Sequence, residues 1–307
     1  MKVISAAQIN SVLTWDIVIA ALEEGHLGAR PTTDDIFIGS SEYALFSRGV
    51  VLPGTGAGVK IASIFPGNAN AIPPLPTEQA AIVFIDDLTK AVSAVFDGPA
   101  ITAWKTAADS ALAAKKLSRV DSDTLLVLGA GPVAKSLTEA YLHVRPSIKK
   151  VLLWNRTPSK LREYASELQS RGVDASVAND LDQAVAEAAL IVSATGASAP
   201  IIKGKLVQPG SHVDLVGGFR PDMREADSDL FAKAKVYVDD RQSALNSGDI
   251  LTPINEGRVA ESCVIGDLYE ICQTRLERCS DSDITVYKNS GGAHLDLMVC
   301  RKVLSLL

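Results

Sequence analysis

Leu125-Leu126-Val127-Leu128 runs directly into Gly129-Ala130-Gly131-Pro132-Val133-Ala134, a spacing suited to binding a pyrophosphate. The four apolar residues fit a strand buried on both faces. Gly129 permits a tight turn, and Gly131 lets the backbone approach a phosphate. Ala134, where a third glycine often stands, lets the following helix pack closely. That helix, expected over 133–143, aims its N-terminal amides at the anion. A glycine pattern of this kind alone is a weak signal. The strand before it, the helix after it and a second strand at 150–154 point to a dinucleotide-binding turn, the plain alternative being a strand-to-helix turn that binds nothing.

The end of the second strand selects which dinucleotide. A cofactor with a free ribose 2′-hydroxyl commonly meets an Asp or Glu there. This chain has Trp154-Asn155-Arg156-Thr157-Pro158-Ser159-Lys160, with no carboxylate. Arg156 can pair with a 2′-phosphate and stack on adenine, and Asn155, Thr157 and Lys160 add donors. The expected cofactor is NADPH, with NADH a weaker ligand. Two later strands end in Ser193-Ala194-Thr195-Gly196 and Val216-Gly217-Gly218-Phe219. Ligands of open parallel sheets collect at such carboxyl ends, so Ala194, Thr195, Val216 and Gly217 are expected beside the cofactor. Taken singly, either loop is equally well explained as turn chemistry.

Two lysines complete the candidates. Lys60 interrupts the apolar strand Gly58-Val59-Lys60-Ile61-Ala62, and lysine is rarely buried without a partner. A substrate carboxylate would supply one; a strand-edge lysine facing water is the plain alternative. Lys105, in Ala103-Trp104-Lys105-Thr106-Ala107-Ala108-Asp109-Ser110, reads on its own as a helix surface residue.

The elements that must position these residues fall into two halves. Ser5 to Gln8 has the form of a capping box before a first helix, and a second helix is expected over 15–27. Residues 43–65 read as antiparallel strands broken at Pro53-Gly54 and at Gly56 to Gly58. A hairpin joins 81–85 to 91–96, and an alanine-rich helix covers 101–117. From there strands at 124–128, 150–154, 173–177, 189–194, 212–216 and 235–239 alternate with helices, the pattern of a doubly wound parallel α/β sheet. A last strand at 284–287 and an amphipathic tail, 294–306, are expected to return to the first half. The resulting division is 1–118 with 285–307, an α+β domain, and 119–284, a dinucleotide-binding domain.

With 307 residues, 47% of them hydrophobic, the chain has ample core for two domains. A net charge of -6 argues against a nucleic-acid surface. No apolar run reaches the roughly 18 residues of a membrane span, and the first residues do not read as a signal peptide. Cys263, Cys272, Cys279 and Cys300 show no zinc spacing and read as the reduced thiols of a cytoplasmic protein. The scattered histidines give no metal cluster.

Several further segments, taken in order, resemble one family. They are Gly58-Val59-Lys60, Phe65-Pro66-Gly67-Asn68, Pro74-Leu75-Pro76-Thr77, Asp97-Gly98-Pro99-Ala100-Ile101-Thr102 and Lys105 to Ala114. The glycine turn follows, then Pro221-Asp222-Met223-Arg224-Glu225, Gly248-Asp249-Ile250 and Asp283 to Gly291. Together they resemble the ornithine cyclodeaminase/μ-crystallin family over nearly the whole chain. The resemblance implies a dinucleotide domain joined to a substrate and dimerisation domain, and hence a homodimer. It implies that Lys60 meets a substrate carboxylate. It puts Lys105 where the family usually has Arg, keeping the charge without the bidentate fork. It also places Thr106 as a hydroxyl donor and Ser290 and Gly291 near the substrate. Cyclodeaminases of the family carry a catalytic Asp after the paired glycines; here the residue is Phe219, which cannot transfer a proton but can flank a flat ring. The implied activity is therefore NAD(P)H-dependent reduction of a cyclic imino acid. The substrate this resemblance implies is Δ1-pyrroline-2-carboxylate, giving L-proline, with Δ1-piperideine-2-carboxylate and L-pipecolate as the six-membered pair. Ornithine cyclodeamination, alanine dehydrogenation and non-enzymatic ligand binding are the alternatives.

Overall fold

The computed structural model describes residues 1–307 apart from 41, 74, 219 and 275. The chain divides into two compact units, Met1–Lys105 with Gly292–Leu307, and Thr106–Gly291. The cuts therefore fall at 105/106 and 291/292 rather than at 118/119 and 284/285.

In the first unit, β1 (Lys2–Ile4), β2 (Thr32–Gly39), β3 (Ala44–Leu52), β4 (Gly56–Ile64), β5 (Glu78–Asp86) and β6 (Val92–Asp97) form one sheet. Its order is β1-β6-β5-β4-β3-β2. β2 to β6 make an antiparallel meander, and β1 joins β6 in parallel. Helix α1 (Ala6–Val12) opens on the expected capping box: the Ser5 hydroxyl accepts from the Gln8 amide at 3.4 Å and Gln8 Oε1 accepts from the Ser5 amide at 3.0 Å. Helix α2 (Trp15–His26) packs Val18, Ile19 and Leu22 into the core, and helix α3 (Gly98–Leu117) carries the chain into the second unit.

The C-terminal helix, Ala293–Leu306, lies against α2 and β4. A Cβ at Gly58 would stand 2.8 Å from the Val83 carbonyl and 3.1 Å from the Leu297 side chain, so the glycine serves both close strand approach and this helix. The expected break at Gly56 to Gly58 is not one. The reversal is Pro53-Gly54-Thr55, and both glycines belong to β4. Gly56 (φ +131°) serves close strand approach instead, since a Cβ there would meet the Ile85 carbonyl at 2.3 Å. β1 and β2 have no sequence signature: β1 is three residues long, and β2 leaves Ile36, Phe37 and Ile38 exposed, so no alternation appears.

The second unit holds an all-parallel sheet of β7 (Thr124–Leu128), β8 (Lys150–Trp154), β9 (Asp174–Val177), β10 (Leu190–Ser193), β11 (His212–Leu215), β12 (Lys235–Val238), β13 (Val264–Asp267) and β14 (Thr285–Lys288). Its order is β13-β12-β14-β11-β10-β7-β8-β9. Seven helices connect these strands among the described residues. They are α4 (Pro132–Val144), α5 (Arg162–Ser170), α6 (Leu181–Glu187), α7 (Ser228–Lys233), α8 (Arg241–Leu245), α9 (Gly248–Asn255) and α10 (Leu268–Thr274). The strand expected near 284–287 is β14, and it pairs with both β11 and β12, which is why the second cut moves to 291/292. The chain steps outward from β7 to β8 and β9, then returns to β10 on the other side of β7. The switch point, where open parallel sheets bind ligands, lies between the ends of β7 and β10.

Polar groups are paired inside this core. The Tyr141 hydroxyl donates to Asp214 Oδ2 at 3.0 Å, and the Tyr287 hydroxyl donates to Asp109 Oδ1 at 2.6 Å. Burial pushes the Asp214 carboxyl up to about 7, against the bonds from Ser110 and Tyr141 that favour its charge. Burial, helped by Arg278 and Arg145, pulls His212 down to about 3. A raised acid lends stability that is lost as pH climbs through its folded value, whereas a depressed base lends stability that is lost as pH falls. The two groups therefore oppose one another in weakly acidic solution. Asp214→Asn keeps an acceptor for Tyr141 and removes the acid branch. In urea unfolding at pH 5 and pH 7, the variant should gain about 2 kcal/mol more than the parent over that interval. Parallel responses would show that Asp214 does not titrate in this window.

Candidate functional site

Two glycines of the turn after β7 owe their identity to different causes. Gly129 has φ +123°, and a Cβ there would stand 2.5 Å from the Ala194 carbonyl. The fold itself requires that glycine, because β7 and the loop after β10 meet there. Gly131 caps the N-terminus of α4 with ordinary extended angles, φ -84° and ψ 172°. A Cβ at Gly131 would meet no protein atom within 4 Å. Nothing within the protein demands glycine at 131. Pro132 stands in the first turn of α4, where an amide would have no helical partner anyway. Ala130 and Val133 are half-buried beside the open end of the helix.

The other expected cofactor residues gather at neighbouring strand ends. The Ala194 amide donates to the Leu128 carbonyl at 2.9 Å and the Val216 amide to the Ser193 carbonyl at 2.8 Å. These bonds set the loops after β10 and β11 beside the glycine turn. After β8, the Asn155 side-chain amide donates to the Thr157 carbonyl at 3.0 Å, shaping the loop. Arg156, Thr157 and Lys160 are exposed there. Open space at Gly131 and an α4 N-terminus with no side-chain cap fit a nicotinamide dinucleotide.

A buried carboxylate ties these loops together. Glu225 Oε1 accepts from the Ser193 hydroxyl at 2.6 Å, the Thr195 amide at 2.7 Å and the Thr195 hydroxyl at 2.7 Å. Its Oε2 accepts from the Gly217 amide at 2.7 Å. Burial and then neighbouring Asp249 push Glu225 up to about 7, while Lys288 and the donors hold it down. Asp249 Oδ1 in turn accepts from the amides of Glu225 at 2.8 Å and Ala226 at 3.1 Å. Lys288 Nζ lies 3.4 Å from Asp249 Oδ2 and donates to the Leu215 carbonyl at 2.9 Å. A Cβ at Gly217 would stand 2.0 Å from the Thr195 carbonyl, and one at Gly218 would stand 2.3 Å from Asp249 Oδ2, so the paired glycines are packed from both sides. Sequence reading quoted Glu225, Asp249 and Lys288 within motifs but gave them no task. Their local sequence carries no signal: Glu225, for example, stands directly after Arg224 with Asp222 and Asp227 close by.

Ser290 and Gly291 follow β14, and both amides donate to Asp239 Oδ2, at 2.9 and 2.6 Å. Thr106 is buried in α3, and its carbonyl accepts from the Asn289 side chain at 3.0 Å. Phe219 lies outside the described residues.

The first unit collects cations around a small cavity lined by Arg48, Val50, Lys60, Ile82, Asp296 and Leu297, among others. Lys60 Nζ donates to Thr102 Oγ1 at 2.6 Å, and that hydroxyl donates to the Gly98 carbonyl at 2.8 Å, so the ammonium is oriented by α3. Arg48 stands directly opposite Lys60 in the β3–β4 pairing, and Asp35 stands opposite Arg48 in the β2–β3 pairing. Arg48 grips Asp35 with Nε at 2.9 Å and Nη2 at 2.8 Å. Two cations facing each other across a strand pair are unfavourable unless an anion relieves them. Sequence reading missed Arg48, because its position opposite Lys60 depends on strand register. Lys105 is only 3% exposed, not the surface residue it reads as in isolation; its Nζ lies 4.0 Å from Asp296 Oδ2. Lys60, Lys105 and Arg48 thus belong to the first unit, while Thr106 and the expected cofactor residues belong to the second.

Among the described residues, no cluster of three or more His, Cys, Asp or Glu side chains is placed to hold a metal ion, and no helix is long and apolar enough to cross a membrane.

An α/β sheet with a glycine turn at its switch point defines a dinucleotide-fold protein. The model of the ornithine cyclodeaminase/mu-crystallin family matches residues 51–305, and the chain belongs to that family. It is 41% identical over 289 residues to Delta(1)-pyrroline-2-carboxylate reductase of Paracoccus denitrificans, covering 94% of this chain and 91% of that one. It is 36% identical over 246 residues to mouse (Mus musculus) ketimine reductase mu-crystallin, covering 80% and 74%. Among solved structures, Thermococcus litoralis Delta(1)-pyrroline-2-carboxylate reductase, in complex with NADH and L-proline, superposes with a TM-score of 0.93 at 28% identity, covering 99% of this chain and 97% of that one.

The two glycines make a paired test. Gly131→Ala should leave the melting temperature unchanged and weaken the nicotinamide cofactor about tenfold or more in a fluorescence titration. Gly129→Ala should lower the melting temperature by several degrees, since its Cβ meets backbone. Unchanged cofactor affinity in Gly131→Ala would remove the pyrophosphate from this turn.

Proposed function

We propose that this protein is an NADPH-dependent reductase of cyclic imino acids, converting Δ1-pyrroline-2-carboxylate to L-proline, with Δ1-piperideine-2-carboxylate and L-pipecolate as the six-membered pair. The observation that carries the reading is the meeting of Lys60 and Arg48 around one small cavity, with a buried Lys105 4.0 Å behind its Asp296, on a chain that also has the glycine turn. A compact anion is what such a cluster accepts, and the relatives described above are reductases of cyclic imines.

In this reading Lys60, steadied by Thr102, donates to one carboxylate oxygen of the substrate, and Arg48 and Lys105 neutralise the rest. Fixing the carboxylate fixes the adjacent imine carbon, and such positioning is worth up to about 7–11 kcal/mol of barrier. Thr106 and the Ser290-Gly291 segment are assigned to the substrate as well. A bound nicotinamide cofactor supplies the hydride that reduces the C=N bond. Gly129 to Val133, Ala194, Thr195, Val216 and Gly217 hold it, with Glu225 keeping the last loops in place. Arg156, Lys160, Thr157 and Asn155 favour the 2′-phosphate of NADPH, with NADH bound more weakly. Phe219 carries no proton-transfer group, which disfavours the cyclodeaminase reading.

The protein is assigned to the cytoplasm, in keeping with four cysteines that form no disulfide. It is assigned as a homodimer through the sheet of the first unit, where Phe37 is 57% and Ile38 60% exposed on an edge strand that would otherwise invite pairing.

Following absorbance of the reduced cofactor with each substrate tests the assignment. NADPH oxidation with Δ1-pyrroline-2-carboxylate supports it, and ammonia release from ornithine overturns it. Lys60→Ala should lower kcat/KM about 10- to 100-fold through both a higher KM and a lower kcat; parental kinetics would remove Lys60 from the site. Arg156→Ala should weaken NADPH far more than NADH, and equal effects would mean that Arg156 does not read the 2′-phosphate.

A further inference from the structure

Asp296 is a carboxylate in a place that penalises it. It sits in the first turns of the C-terminal helix with a side chain 3% exposed. Neither oxygen has a hydrogen-bond partner among the described residues. Lys105 Nζ, equally buried, is 4.0 Å from Oδ2, close enough for attraction but too far for a hydrogen bond. A buried carboxylate that lacks donors is destabilising. It also lines the same cavity as Arg48 and Lys60, so its charge opposes the anion those cations would accept. A site built only for a carboxylate has no use for it.

A ligand with a cationic N–H next to its carboxylate resolves both difficulties. We propose that Asp296 is the residue that binds the protonated ring nitrogen of the substrate. This deepens the imino-acid reading and rests on it. The carboxylate of the imino acid meets Lys60, Arg48 and Lys105, and its iminium N–H donates to Asp296, supplying the charge-assisted hydrogen bond the buried oxygens lack. Chemically, the protonated imine is the form that accepts hydride. When hydride adds to the ring carbon, the C=N π pair becomes the nitrogen lone pair and the nicotinamide is oxidised. The resulting neutral amine, still carrying its N–H, takes a second proton from water. Asp296 thus stabilises the reactive charge form and discriminates imino and amino acids from ring acids that have no N–H.

Asp296→Asn tests this, because it preserves size and removes the charge. Binding of L-proline and of furan-2-carboxylate, a planar ring acid with no N–H, is measured by calorimetry in the presence of oxidised cofactor, alongside imine reduction. The variant should reduce Δ1-pyrroline-2-carboxylate about 10- to 100-fold more slowly in kcat/KM and bind L-proline more weakly by a similar factor. It should bind furan-2-carboxylate as tightly as the parent or more so, since a like charge has gone. A merely structural Asp296 would weaken both ligands together and lower the melting temperature, and that result overturns the proposal. Parental kinetics in the variant overturn it too. A parent protein that reduces no cyclic imine defeats the functional reading itself, an outcome distinct from an active parent with an unaffected variant. If Asp296→Asn does not fold, Asp296→Glu, which keeps the charge but moves it, should retain furan-2-carboxylate binding and lose L-proline; retained binding of both would sink the assignment.

Discussion

Four donors from two separate segments, 193–195 and Gly217, converge on the carboxylate of Glu225. The ends of β10 and β11 are adjacent in the sheet, but sheet pairing stops at Ser193 and Leu215, and the loops beyond have no ladder to hold them. Glu225 replaces the missing ladder with charge-assisted bonds. Such bonds favour the ionised carboxylate, yet full burial opposes ionisation, and the balance leaves the group close to neutrality in its preference. Asp249 and Lys288 settle it locally: the first fixes the backbone that carries Glu225, and the second offsets two acids with one base. The paired glycines at 217 and 218 are a consequence, since only residues without side chains fit between Thr195 on one side and Asp249 on the other.

The first unit solves the reverse problem. There the excess is positive, and strand register creates it. Asp35, Arg48 and Lys60 follow one another across β2, β3 and β4. Asp35 answers Arg48, and Thr102 orients Lys60 without neutralising it. The cavity lining thus sets Arg48 and Lys60 against one carboxylate, Asp296, so positive charge is in excess there. Both units place their charges on rigid elements, strands in one case and strand ends in the other, so the arrangement is fixed before any ligand arrives.

The parts of the fold that were legible in the sequence are those where a single local cause decides. β7 could be read from Leu125 to Leu128 because burial on both faces permits nothing polar, and Gly129 because its turn admits no side chain. The capping box at Ser5 is equally local. The meander was read in outline, yet Gly56 and Gly58 were mistaken for a break, because a glycine that ends a strand and a glycine that lets strands crowd look alike. β2 escaped because its apolar residues face outward. Arg48 and Glu225 escaped for a different reason. Each is an ordinary charged residue until pairing or packing brings distant segments together, and no window of sequence contains that information. Lys105 shows the same limit from the other side: its helix is obvious, its burial is not.

β14 is made last of all the parallel strands, yet it occupies the middle of the sheet between β11 and β12. Until residues 285–288 have left the ribosome, the strands form two separate blocks, β9 to β11 and β12 with β13, each with an open edge facing the other. The wedge that joins them is a late, non-local contact of the kind that slows folding. Synthesis from the N-terminus therefore cannot complete this unit piece by piece. A nascent chain stopped before 285 should present two naked strand margins, the surfaces on which chaperones and aggregation compete.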